Sequence, residues 1–167
     1  MNATITNISY GKVASRGRSA FGRTIHLIDI ENLCGSSRVT PDQVAEARER
    51  YEEAIPIVRS DQVIVASSTG NRPSSRLGWP GARLLARDGK NGADDCLAEV
   101  IAGGLVTKLF DRAVVASGDG GLAPSVAFMA GEGIYTVVVS QSDRLSRSMR
   151  VAAHKSILLE PKLQERA

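Results

Sequence analysis

The stretch TIHLIDIENL, residues 24–33, is largely apolar until it stops abruptly in Asp29, Glu31 and Asn32. A run rich in Ile and Leu suits a strand buried on both faces, as the strands of parallel sheets are. Polar groups at the carboxyl end of such a strand mark a site, because ligands of open α/β sheets bind outside the carboxyl ends of the strands. The same pattern returns further along the chain.

Residues 62–66 (QVIVA), 113–116 (AVVA) and 134–139 (IYTVVV) are short β-branched runs and so further buried strands, with 82–86 a third-strand candidate and 157–159 a short last one. Helical signals lie between them. Thr40 followed by Pro41 is a start signal, cap and then first helical residue. Val44, Ala47, Tyr51, Ile55 and Val58 then recur at three and four residues to form one buried face. Leu97, Val100, Ile101, Leu105 and Leu109 predict a helix over 93–110, weakened at Gly103 and Gly104 by about 1 kcal/mol per glycine relative to alanine; the pair suggests a closely packed neighbouring backbone. Helices over about 122–130 and over 143–153 complete the set. Residues 67–81, with Arg72, Arg76 and Trp79 among Ser, Gly and Pro, lack helical periodicity and read as an irregular excursion with at most one helical turn. In a nuclease such a segment could hold substrate, with Arg72 and Arg76 for phosphate and Trp79 for base stacking; Trp79 as a cover for the core is the plainer alternative.

Strand and helix thus alternate about five times. This predicts an α/β three-layer sandwich with a mainly parallel central sheet and helices on both faces, joined by right-handed crossovers. A chain of 167 residues suits one domain with a real core, expected over 23–160. With aromatics at only 4%, that core must be built from Val, Ile, Leu and Ala. The apolar runs are far too short to span a bilayer and the start lacks a signal peptide's apolar region, so a cytoplasmic protein without a membrane partner is expected. Cys34 and Cys96 lack CxxC spacing, and with His26 and His154 the only histidines, neither a zinc site nor a disulfide framework is indicated.

Residues 1–28 contain Lys12, Arg16, Arg18 and Arg23 and no acid; removing these four from the 21 basic residues leaves 17 against 18 acids. A basic arm (1–22) on a near-neutral body suits a polyanion partner, and a solvated tail is the plainer alternative. Residues 161–167 read as a fraying tail.

Three carboxylate clusters fall at one kind of place. Asp29 ends the first strand, Asp94 and Asp95 open a helix, and Asp119 follows the strand at 113–116. If the topology brings them together, oxygen-only ligands suit Mg²⁺ or Mn²⁺, which can hold a scissile phosphate and lower the pKa of an attacking water. Each residue also has an ordinary alternative: Asp94 or Asp95 as a helix cap, Asp119 with its glycines as a turn or a phosphate cradle, Asn32 as a turn residue. Glu99 falls nearer Asp95 than Asp94 around the helix. A nucleotide-binding reading of SGDGG lacks the lysine of a P-loop, and GxGxxG does not follow the first strand.

These motifs resemble the NYN domains of the PIN-like nuclease superfamily. Asp29 and Asn32 in DIEN match its Asp-x-x-Asn after the first strand, Gly92 and Asp94 in GADDCL its Gly-x-Asp opening a central helix, and Ser117, Gly118 and Asp119 its Ser-Gly-Asp after a later strand. The segment 137–159 is similar to the family's closing strand, helix and strand, so the resemblance spans about 24–159. It implies a PIN-like, Rossmann-like architecture and metal-dependent hydrolysis of RNA, as an endoribonuclease. Asp29, Asp94 and Asp119 would be metal ligands, directly or through water, with Asp95 as a further ligand; Asn32 and Ser117 would orient a ligand, water or phosphate. Arg83, Arg87, Lys90, Arg144, Arg147 and Arg150 are candidates for an RNA phosphate track, a solvated helix face being the alternative for the last three. RNA is the implied partner, and a homodimer is left open. One departure stands out: many relatives carry a second Asp two residues after the Ser-Gly-Asp aspartate, where this chain has Gly121, so Asp95 or Glu99 would have to compensate. An RNA-binding or complex-forming module of weak or no activity is the competing expectation.

Overall fold

A computed structural model describes residues 22–160. The basic arm apart from Gly22, and the tail, lie outside the described residues. Six strands, β1 (Thr24–Asp29), β2 (Gln62–Ser67), β3 (Arg83–Ala86), β4 (Arg112–Ala116), β5 (Tyr135–Gln141) and β6 (Lys155–Leu159), form one sheet in the order β3-β2-β1-β4-β5-β6. Every pairing is parallel. The chain builds outward from β1 through β2 to β3, then returns to the other side of β1 with β4. The strand order therefore reverses between β1 and β4, the crevice where open α/β sheets bind ligands.

Alternation along each strand feeds two cores. Ile25, Leu27, Ala113, Val115 and Val138 face one layer, and Ile28, Val65, Val114, Val137 and Val139 the other. On the second face lie α1 (Ile30–Cys34), α2 (Pro41–Ala54) and α3 (Arg72–Gly78); on the first lie α4 (Gly92–Ala102), α5 (Leu105–Leu109), α6 (Ala123–Gly131) and α7 (Arg147–Ala152). This is a three-layer, Rossmann-like sandwich. Among the described residues, no helix is long and apolar enough to cross a membrane.

The start of α2 follows the sequence closely. Thr40 Oγ1 accepts the Gln43 N–H while Gln43 Oε1 accepts the Thr40 N–H, a reciprocal capping box ahead of Pro41. The helix ends at Ala54, two residues before Pro56, so Val58 falls outside its buried face and is 37% exposed.

Four expectations are corrected. The opening stretch is not strand throughout: it turns helical at Ile30, because the Asp29 carboxylate accepts the Asn32 N–H at 3.1 Å and caps α1. Residues 67–81 are not irregular but hold a 3-10 turn (Thr69–Asn71) and α3, whose Gly78 packs so closely that a Cβ there would lie 2.5 Å from Val44 Cβ. Trp79 is 3% exposed against Tyr51, which removes the base-stacking reading. The helix over 93–110 is two helices, broken where Gly104 takes φ +76°. Nothing lies within 4 Å of a Cβ at Gly104, so the glycine serves the left-handed turn and not a close neighbour. The last predicted helix begins only at Arg147, capped by Ser146, which leaves Arg144 in the preceding loop.

Candidate metal centre

The carboxyl ends of β1 and β4 are tied together by side chains from both. Asn32 Oδ1 accepts the Gly118 N–H at 2.9 Å, joining the turn after β1 to the turn after β4. Ser117, fully buried, accepts the Asp119 N–H on its Oγ, and Asp119 Oδ1 in turn accepts the Gly121 N–H at 2.8 Å. Gly118 has no room for a side chain: a Cβ would lie 2.1 Å from the Arg144 carbonyl oxygen, which brings the β5–α7 loop against this turn. Gly92 plays the same part at the start of α4, where a Cβ would lie 2.0 Å from the Arg87 carbonyl oxygen. The glycines of GADD and SGD thus set the approach of the segments that carry Asp94 and Asp119.

The result is a cavity of about 260 Å³ lined by Asp29, Asp94, Asp119, Glu31 and Asn32 together with Lys90 and Arg144. Asp29 is 7% exposed. Burial raises its pKa, while the Asn32 N–H and a hydrogen bond to Asp94 pull the other way. Burial, the charges of Asp29 and Asp119, and the hydrogen bond shared with Asp29 push the Asp94 carboxyl up to about 7. The direction of both shifts reflects buried acids whose charges repel one another.

This donor set fits a hard divalent cation. All donors are oxygens. Asp94 Oδ1 is buried without a hydrogen-bond partner, and a buried carboxylate oxygen left unpaired is costly unless something binds it. Asp119 Oδ1 and Asp94 Oδ2 approach one point, lying 3.3 and 3.6 Å from where a Cβ would stand on Gly121. Among the described residues, no three His, Cys, Asp or Glu side chains form a ready-made cage for an ion. An ion here would keep several waters, as Mg²⁺ usually does.

The remaining sequence candidates are dispersed. Asp95 is exposed and does not line the cavity. Glu99 pairs with Arg87 through two hydrogen bonds of 2.7 Å, so both groups are engaged with each other, and that contact raises the Arg87 pKa and lowers that of Glu99. Arg83 lies beside Arg87 in a different cavity between β3 and α4. Arg147 borders an apolar groove between α6 and α7, and Arg150 is exposed on α7. Only Lys90 and Arg144 of the six basic candidates border the acidic cavity, and Arg144 donates from Nη2 to the Gly35 carbonyl at 3.2 Å.

Sequence reasoning missed Asn71 and gave Glu31 no specific role. Glu31 Oε1 accepts the Ser68 N–H and Asn71 Nδ2, while Asn71 Oδ1 accepts the Val39 N–H, so the pair ties α1 to the loops after β2 and before α2. A buried asparagine opening a helix was the available signal, but its partners are remote in sequence.

No family model matches the chain, and no curated protein matches it. A crystal structure of a protein of unknown function from Vibrio parahaemolyticus is similar in fold, with TM-score 0.61 and 14% identity over 86% of this chain and 96% of that one. A candidate Mar1 ribonuclease from Leishmania major aligns at TM-score 0.43 and 15% identity, over 86% of this chain and 78% of that one, too loosely to carry an argument. At 14% identity the Vibrio structure speaks for the fold alone.

Proposed function

We propose that this chain is a Mg²⁺- or Mn²⁺-dependent ribonuclease that hydrolyses RNA phosphodiester bonds in the acidic cavity. The observation that carries the reading is the meeting of Asp29, Asp94 and Asp119, from three distant segments, at the switch point of the sheet. Such a concentration of acid is costly to a fold unless a cation offsets it. Asp29, Asp94 and Asp119 would hold the ion, directly or through water. A bound dication would supply charge stabilisation at the phosphate and lower the pKa of an attacking water.

The chain's own residues do the positioning. The Asn32 N–H fixes the Asp29 carboxylate, and Asn32 Oδ1 holds the β4 turn in register with it. Ser117 fixes the Asp119 backbone. Lys90 and Arg144 offer positive charge in the lining of an otherwise acidic cavity, where they would meet a phosphate. The Asp94 proton must leave as a cation arrives, because the two compete for the same oxygens.

Incubation of the protein with unstructured RNA in Mn²⁺, Mg²⁺ or chelator tests this reading. Cleavage is expected with metal only, and Asp29→Asn and Asp119→Asn should each lower it about a hundredfold or more, the scale seen when a charge-stabilising group is removed from an active site. Cleavage that persists in chelator or in both variants would overturn it. The second reading, an RNA-binding or complex-forming module without cleavage, is favoured by one observation: Gly121 carries no carboxylate where a Cβ would lie 3.3 Å from Asp119 Oδ1 and 3.6 Å from Asp94 Oδ2. RNA binding without cleavage in every metal condition would establish that reading instead.

A further inference from the structure

Residues 62–87, which form β2, α3 and β3, contain four arginines and no acid. Two of the four are accounted for: Arg87 is held by Glu99, and Arg83 lies with it on the α4 side of the edge strand. Arg72 and Arg76 are different. They stand four residues apart on α3 and so share one face. Together they line a separate cavity of about 200 Å³ whose other walls are Trp79, Gly81, Ala82 and Leu84. Both are exposed, and neither has an ion-pair partner among the described residues. The nearest acid in sequence, Asp88, has one carboxylate oxygen accepting the Thr69 N–H at 3.0 Å.

A short covalent and hydrogen-bonded path links this cavity to the acidic one. Arg72 follows Asn71 directly, and Asn71 Nδ2 donates to Glu31, which lines the acidic cavity. Two guanidiniums beside an apolar floor suit a phosphate together with the edge of an unpaired base or sugar. A duplex would present only its phosphates to such a hollow. An acidic peptide would use the arginines alone, leaving the Ala82 and Leu84 wall without a partner. We infer that the Arg72–Arg76 cavity is a second nucleic-acid subsite, holding a phosphate and its nucleoside from a single RNA strand. The inference rests on the ribonuclease reading for its choice of polymer.

The test is fluorescence anisotropy of labelled oligouridylates of increasing length in chelator, so that binding is read without cleavage. The Arg72→Ala/Arg76→Ala double variant should bind the longer oligomers at least about tenfold more weakly, and the slope of log affinity against log salt should fall by about 1.4, the release expected for two phosphates of a single strand. Arg72→Lys/Arg76→Lys should recover most of the salt slope, and matching thermal melts exclude misfolding as the cause. Unchanged affinity and slope in the alanine variant would overturn the inference. Equal competition by a poly-glutamate peptide of the same charge would also overturn it, assigning the cavity to an acidic protein partner. Failure of the two readings is distinguishable: cleavage by the wild type with unaltered binding by the alanine variant removes only the subsite, whereas weakened binding with no cleavage by the wild type under any metal removes only the nuclease.

Discussion

Gly121 is the residue on which the strength of the site turns. Its φ is not in the left-handed region, so an aspartate is conformationally allowed, although Asp119 Oδ1 at 3.3 Å from the new Cβ must give by a few tenths of an ångström. Gly121→Asp should tighten Mn²⁺ binding about tenfold by calorimetry, since affinity follows ligand charge count. In chelator it should lower the melting midpoint by about 2–5 °C, through one more like charge. Asp94 predicts a pH dependence of known sign. Its carboxyl titrates at about 7 in the fold against 3.8 ordinarily, so between those values the folded chain holds a proton that the unfolded chain has lost. Its contribution to stability is complete below the ordinary value and is lost as pH rises through about 7. Metal-free protein should therefore lose stability as pH rises across this window, by at most about 1.4 kcal/mol per pH unit from this group. Asp94→Asn should flatten that profile in denaturant titrations, and an identical slope in both proteins would show that the proton is held elsewhere.

The turns that carry the acids depend on close backbone approach. Gly118→Ala would place a Cβ 2.1 Å from the Arg144 carbonyl and 2.5 Å from Ser140 Oγ; it should cost about 1–3 kcal/mol by overpacking and reduce cleavage by displacing the Arg144 loop. Gly104→Ala meets no neighbour and should cost only the backbone term of about 1–2 kcal/mol, leaving cleavage intact. Equilibrium unfolding and the RNA assay together separate the two. The contrast also explains what the sequence made legible. Asp29, Asp94 and Asp119 each mark a place where an element begins or ends, and polarity changes sharply at such places, so their positions could be read one at a time. Glu31 could not be read in this way, because the groups it holds lie 37 and 40 residues further along. Arg87 read as a free cation, and only the parallel crossover from β3 into α4 brings it to Glu99. The helix α3 was hidden because Pro73, Ser74, Ser75 and Gly78 give it weak propensity, and its packing against α2 supplies what propensity does not. Trp79 illustrates the same limit: only the core around Tyr51 shows that it is buried, and Trp79→Ala should cost about 3–5 kcal/mol in stability.

At the scale of the whole molecule, the strand order does what no single motif can. Placing β4 beside β1, with β2 and β3 on the far side, sets the loops after β1 and β4 against each other and leaves the start of α4 to close the third side. Alternating buried runs already implied a parallel sandwich, but the order within the sheet depends on which strand returns to the centre, and that follows from packing over long separations. The arrangement yields a cavity lined by acids from three segments together with Lys90 and Arg144. On the reading proposed above, this cavity is a single divalent-cation site built from three segments. Calorimetric titration of Mn²⁺ into the wild type, Asp29→Asn and Asp119→Asn puts that reading to the test. One bound ion per wild-type chain is expected, with proton release below about pH 7, and binding weakened at least about tenfold in each variant. Absence of binding to the wild type, or equal binding by all three proteins, would contradict it.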